Sequence, residues 1–128
     1  MVMAVMTVKA GRALDADVAE KVMGLTVREG LMRLGYYEME PEILDVGDEP
    51  IDGMEHEEVL IVGKALLPHY STDIAAAWQV VEKADEFEMW NHTGKSYGCR
   101  LTFRNKQAFA KAATAPLAIC RAALDAVG

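Results

Sequence analysis

Cysteine, histidine and proline are all scarce in this chain, which has two, three and four of them among 128 residues. Two cysteines cannot build the disulfide framework of a small secreted domain, so Cys99 and Cys120 read as small buried apolar residues of a reduced protein. The three histidines, His56, His69 and His92, are too scattered for metal-ligand spacing, and there is no CxxC or HExxH. No zinc site is expected, nor any cofactor. No apolar run approaches the roughly 20 residues that cross a bilayer. The opening "MVMAVMTVKAGR" lacks both the basic start and the small-residue cleavage site of a signal peptide, so a cytosolic chain is expected. Ser71 has no glycine elbow and neither cysteine sits in a reactive motif, which leaves nucleophilic catalysis without a candidate.

Basic residues are also outnumbered, 13 Lys and Arg against 20 Asp and Glu, for a formal charge of −7. That argues against a partner such as long nucleic acid or an anionic membrane, which Lys and Arg must neutralise. The deficit is local. Residues 36–58, "YYEMEPEILDVGDEPIDGMEHEE", hold ten acids and no Lys or Arg, while the other 105 residues hold the remaining ten acids and all 13 bases. Most of the chain is therefore mildly basic, and a small phosphorylated ligand stays compatible with it. Within the acidic segment "DVGDEPIDGMEHEE" offers oxygen ligands but departs from EF-hand spacing, so it reads as a solvated loop rather than a calcium site.

What is present is a globular composition, 52% hydrophobic and 26% charged, at a length suited to one domain spanning residues 1–128. From Ala10 to Met23, Leu14, Val18 and Val22 recur every four residues and Gly24 supplies a stop, which predicts a helix. Thr26 with Glu29 fits a capping box for a short helix ending at Gly35. Pro41, Gly47, Pro50 and Gly53 favour turns around one strand-like piece, "EILDV", and "EEVLIVGKALL" has the β-branched density of a buried strand. After Pro68, Ser71 or Thr72 can cap a second helix in which Ile74, Trp78 and Val81 share a core-facing side with Ala77. Phe87 to Arg104 reads as a β-hairpin whose Trp90 anchors the core, and 106–113 as an alanine-rich link. Thr114 caps a third helix with Pro116 in its first turn and Leu117, Cys120, Leu124 and Val127 as its buried stripe. This order predicts an α+β fold, about three helices packed on a small, mainly antiparallel sheet. The eight Met and the edge-like "MVMAVM" add the expectation of a homo-oligomer, a dimer in the first instance.

Three stretches, "AGRALDADVAEKVMGL", "PHYSTDIAAAWQVVEK" and "ATAPLAICRAALDAVG", taken in that order, resemble the phage ABA sandwich domain family. The resemblance covers about the outer two-thirds of the chain and leaves the acidic segment at about 33–58 as an elaboration of this member. It implies an α-β-α sandwich and a phage or prophage setting, and it brings no catalytic residues with it.

Two surfaces are candidates for ligand contact. At the start of the second helix, His69, Tyr70, Ser71 and Thr72 can surround an anion with donors and a stacking face, although capping accounts for Ser71, Thr72 and Asp73 equally well. On the hairpin, Trp90 and His92 recur in alternation with Tyr97, Arg100 and Arg104 across from them, and arginine suits phosphate. His69 with Asp73 is the one conceivable acid–base pair, and a structural role suits both better. These residues favour a non-enzymatic protein. In the phage setting that the resemblance implies, analogy with small oligomeric phage proteins that sequester nucleotide immune signals of the host gives the expected role, binding of a small phosphorylated ligand of that kind. The alternatives are an accessory factor that docks on a host or phage protein, and a purely structural oligomer.

Overall fold

The computed structural model of the chain describes residues 9–34, 42–44, 55–93 and 95–128. Among these lie the helices α1 (Arg12–Lys21), α2 (Ile74–Lys83) and α3 (Ala115–Val127). The strands are β1 (Val27–Arg33), β2 (Glu42–Ile43), β3 (His56–Val62), β4 (Ala65–Leu66), β5 (Glu86–His92), β6 (Ser96–Phe103) and β7 (Lys106–Ala112). The fold is the expected α+β one, with antiparallel pairing throughout, but the sheet is divided into one of order β2-β1-β3-β4 and one of order β5-β6-β7. Two compact units result, Met1–Leu25 with Pro68–Gly128, and Thr26–Leu67.

In the first unit, α3 lies on β6 and β7 and is itself packed by α1 and α2. Small side chains make this possible. The inner face of β7 is Ala108, Ala110 and Ala112, and α3 answers with Ala118, Ala122, Ala123 and Ala126, so helix and sheet approach closely around Cys99, Leu101, Ile119 and Cys120. The stretch expected to be a link, 106–113, is therefore mostly strand β7: burial of alternate alanines against α3 overrides alanine's weak strand preference. Thr114 caps α3 as expected, its side chain accepting the Leu117 N–H at 3.4 Å. Val127, expected in the buried stripe, is exposed in the last turn.

Helix α2 turns a different side inward from the one expected. Ala76, Ala77, Val80 and Val81 are buried, whereas Ile74 and Trp78 are 50% and 42% exposed. Alanine and valine give the flatter, closer contact, and the indole is left at the flank, where it meets Phe87 of β5 edge-on at 5.3 Å. The N-cap is Asp73, whose carboxylate accepts the Ala75 N–H at 3.1 Å, rather than Ser71 or Thr72. Helix α1 ends as its sequence predicts. Gly24 adopts φ +70 and the Leu25 N–H returns to the Ala19 carbonyl at 2.8 Å.

The second unit overturns the capping-box reading of Thr26 and Glu29, because residues 27–33 form strand β1. Strand β3 needs a partner along its whole length, and β1 supplies it from Val27 opposite Val62 to Arg33 opposite His56. Gly30 fits this pairing for a steric reason. A Cβ there would stand 2.7 Å from Ile61 Cδ1, so the glycine lets the fully buried Ile61 cross the neighbouring strand. The predicted strand "EEVLIVGKALL" is folded back on itself by a two-residue turn in which Gly63 takes φ +61. Of "EILDV", Glu42 and Ile43 pair with β1. The expected N-terminal edge strand "MVMAVM" and most of the acidic segment lie outside the described residues.

Candidate functional site

The start of α2 is built around a residue that sequence reading passed over. Asp15 points inward from α1, fully buried, and its Oδ1 accepts the Ser71 N–H at 2.8 Å and the Ser71 hydroxyl at 2.7 Å. Its Oδ2 accepts Arg12 Nη1 at 2.9 Å, and the Gly11 N–H donates to Ser71 Oγ at 2.9 Å. A buried carboxylate is tolerated only when its lone pairs are filled in this way. Tyr70, beside it, is buried too, and its phenol is held above its ordinary range by that burial first and by the Asp15 charge second. Of the four residues proposed for an anion site here, Tyr70 and Ser71 thus belong to the interior, while His69 and Thr72 are exposed. The carboxylate behind them opposes an anion.

The second candidate surface is better assembled. In the β5–β6 register Glu88 faces Arg100, Trp90 faces Gly98 and His92 faces Ser96, so Trp90, His92 and Arg100 share the sheet face opposite α3. Trp90 is therefore half-buried on the outer face rather than an anchor of the core. Tyr97 pairs with Asn91 and belongs to the inner face, and Arg104 sits in the β6–β7 turn beyond the strand end. Strand β7 adds two residues to the outer face. Phe109 pairs with Arg100 and Lys111 with Gly98. The indole of Trp90 stacks on the Phe109 ring with centroids 5.1 Å apart and planes 15° from parallel.

Gly98 makes room for that stack. A Cβ at this position would lie 2.3 Å from Trp90 Cε2, so the middle strand carries no side chain where the indole crosses it. Lys111 Nζ stands 5.9 Å from the Phe109 centroid, a cation–π distance, and Arg100 Nη2 pairs with Glu88 Oε2 at 2.9 Å. The result is an aromatic platform flanked by two cations. Sequence reading missed Phe109 and Lys111 because it took their segment for a link; the alternation of large and small residues in "KQAFAKA" was the available signal.

Beyond the platform, toward the β6–β7 turn, lies an open depression of about 410 Å³ lined by Asp85, Glu86, Thr102, Asn105 and Gln107. Two acids and no base make it unsuited to phosphate. Among the described residues no cluster of His, Cys, Asp and Glu could hold a metal ion, and no helix is long and apolar enough to cross a membrane.

The model of the phage ABA sandwich domain matches residues 16–124, the acidic segment included. The chain belongs to the phage ABA sandwich family. A crystal structure of a phage protein from Bacillus cereus ATCC 14579 has the same fold, with a TM-score of 0.58 and 24% identity over 94% of this chain and 95% of that one. No curated protein matches the chain. The outer face of β5–β6–β7 is thus a surface on a phage ABA sandwich fold, and its use has to be read from its own residues.

Proposed function

We propose that this small phage protein catalyses no reaction and works by binding, in the host cytosol, and that the outer face of the β5–β6–β7 sheet is its binding surface. One observation carries the reading. The Trp90–Phe109 stack lies across Gly98 with Arg100 and Lys111 on the same face. An aromatic platform takes the face of a planar ring, and guanidinium and ammonium groups take phosphate, so the ligand class is a small phosphorylated molecule with an aromatic base. A phage protein of this kind would sequester a nucleotide immune signal of its host. His92, exposed at the end of the same face, supplies a further donor or stacking ring.

A specific observation favours a second reading, an accessory factor that docks on a host or phage protein. Arg100 is already paired with Glu88, so the charge of the face is partly balanced, as suits the edge of a protein interface. One experiment separates the two. Mass spectrometry of small molecules released by denaturing the purified protein should find nucleotides, and Trp90→Ala and Lys111→Ala should lose them while the chain stays folded. If repeated preparations release no nucleotide and a pull-down returns a protein that Trp90→Ala no longer captures, the docking reading replaces the first.

A further inference from the structure

Among the described residues strand β5 is one edge of its sheet, with β6 as its one strand partner. The opposite edge, β7, carries Lys106 and Lys111, charged residues of the kind that keep an edge from pairing. The β5 sequence, Glu86-Phe87-Glu88-Met89-Trp90-Asn91-His92, has neither lysine nor proline. Helix α3 covers β6 and β7, and the inner side of β5 is left to Phe87, 49% exposed, with Trp78 against it and Ile74 one turn away on α2. Three large apolar side chains therefore flank an edge strand on one side.

We infer that a second copy of this chain pairs here, β5 against β5 in antiparallel fashion about a two-fold axis at Met89, joining two three-stranded sheets into one of six strands. A two-fold contact must match its own reverse, and this strand does. Centred on Met89, all seven residues pair. Glu86 of one protomer faces His92 of the other, Phe87 faces Asn91 and Glu88 faces Trp90, with acids at one end meeting the imidazole at the other. A shift of two residues toward the N-terminus sets Glu88 against its own copy, like charges directly opposed. A shift of one residue would put inner-face side chains opposite outer-face ones. The same axis brings α2 of each protomer toward the other on the inner side, which covers Ile74, Trp78 and Phe87. A charged partner surface would leave those three uncovered. On the outer side the same pairing sets Glu88 of one protomer beside Trp90 of the other and Glu86 beside His92, so the contact borders the ligand face, while Arg100, Phe109 and Lys111 lie on the two strands beyond it.

Sedimentation equilibrium at micromolar concentration is expected to give twice the chain mass of 14.0 kDa. Phe87→Lys and Trp78→Lys, each placing a charge in the contact, are expected to return the mass to 14.0 kDa with an unchanged circular dichroism spectrum. Because Cys99 stands opposite Met89 within the chain, the register is tested by Met89→Cys in a Cys99→Ala background. Mild oxidation should join this variant into a covalent dimer. A wild-type chain that stays at 14.0 kDa overturns the inference. So does a dimer that survives both lysine variants, or a dimer in which the cysteine at position 89 does not cross-link, a readout that remains if a lysine variant fails to fold.

Discussion

Asp15 and Ser71 are 56 residues apart in sequence and meet in the interior through two hydrogen bonds to one oxygen, 2.8 Å from the Ser71 N–H and 2.7 Å from its hydroxyl. The contact ties α1 to the loop that launches α2, and it turns the polar tip of "HYSTD" into a structural joint. Asp15→Ala leaves the buried Ser71 N–H without its carboxylate acceptor, leaves the hydroxyl with the longer 3.3 Å contact to the Gly11 carbonyl and takes from Arg12 its carboxylate, so it should cost about 2 to 4 kcal/mol. Ser71→Ala keeps the N–H bond and should cost less, about 1 to 2 kcal/mol. Urea unfolding of the two variants checks the order. Equal, small losses would mean that water replaces the joint.

The β6–β7 turn holds two non-glycine residues in the left-handed region, Arg104 at φ 49 and Asn105 at φ 68. Two-residue turns of this hand favour Asn-Gly, and each non-glycine residue held there is strained. Asp85 holds the turn by accepting the Arg104 N–H at 2.8 Å, a backbone contact that survives substitution of the side chain. Replacing the pair with Arg104→Asn and Asn105→Gly should therefore stabilise the protein by roughly 1 kcal/mol, read as a higher denaturation midpoint with an unchanged slope.

Local signals were legible and distant ones were not. The cap at Thr114, Pro116 in the next turn and the glycine stop at Gly24 are decided by neighbours in sequence, and each stands where the residues predict. The hairpin formed by β5 and β6 is legible for the same reason. Ser71 reads as a cap because its partner, Asp15, lies on another helix. Residues 27–33 carry a helix start signal, but pairing with β3 along seven residues outweighs it. Trp78 reads as core because its helix is apolar around much of its circumference, and only the packing of Ala76, Ala77, Val80 and Val81 decides which side goes in. Of the candidate ligand face, Trp90, His92 and Arg100 were legible from alternation, while Phe109 and Lys111 depended on recognising an alanine-rich strand.

The two thiols give the fold an alkaline limit. Burial pushes Cys99 and Cys120 up from an ordinary 9.0 to about 12, with the Asp15 charge adding to the effect on Cys120. The native state thus holds these protons more tightly than the unfolded chain. Their contribution is fully present below pH 9 and is lost progressively as pH rises toward 12, where the unfolded state binds fewer protons. Denaturant midpoints measured between pH 8 and pH 11 should fall, and Cys99→Ala with Cys120→Ala should flatten most of that fall, the raised Tyr70 phenol accounting for a remainder. Iodoacetamide should leave the native thiols unmodified at pH 8 and alkylate both in urea, since a buried thiol yields little thiolate.

Gly98→Ala is the most direct probe of the ligand face, because it adds one methyl group where the indole of Trp90 crosses the strand. At 2.3 Å from Trp90 Cε2 the new Cβ cannot coexist with the stack, and the indole sits on an outer face where it can swing away. The variant should then lose the Trp90–Phe109 contact and about 1 to 3 kcal/mol of stability, without unfolding. In a Trp78→Phe background, which leaves Trp90 as the sole indole, its fluorescence should shift toward the exposed range. The binding of any co-purified nucleotide should weaken at least as much as in Trp90→Ala, although Arg100 and Lys111 remain in place. A variant that keeps full binding with a displaced indole would show that the cations hold the ligand without the platform. Unchanged fluorescence would show that the strand, rather than Trp90, gives way.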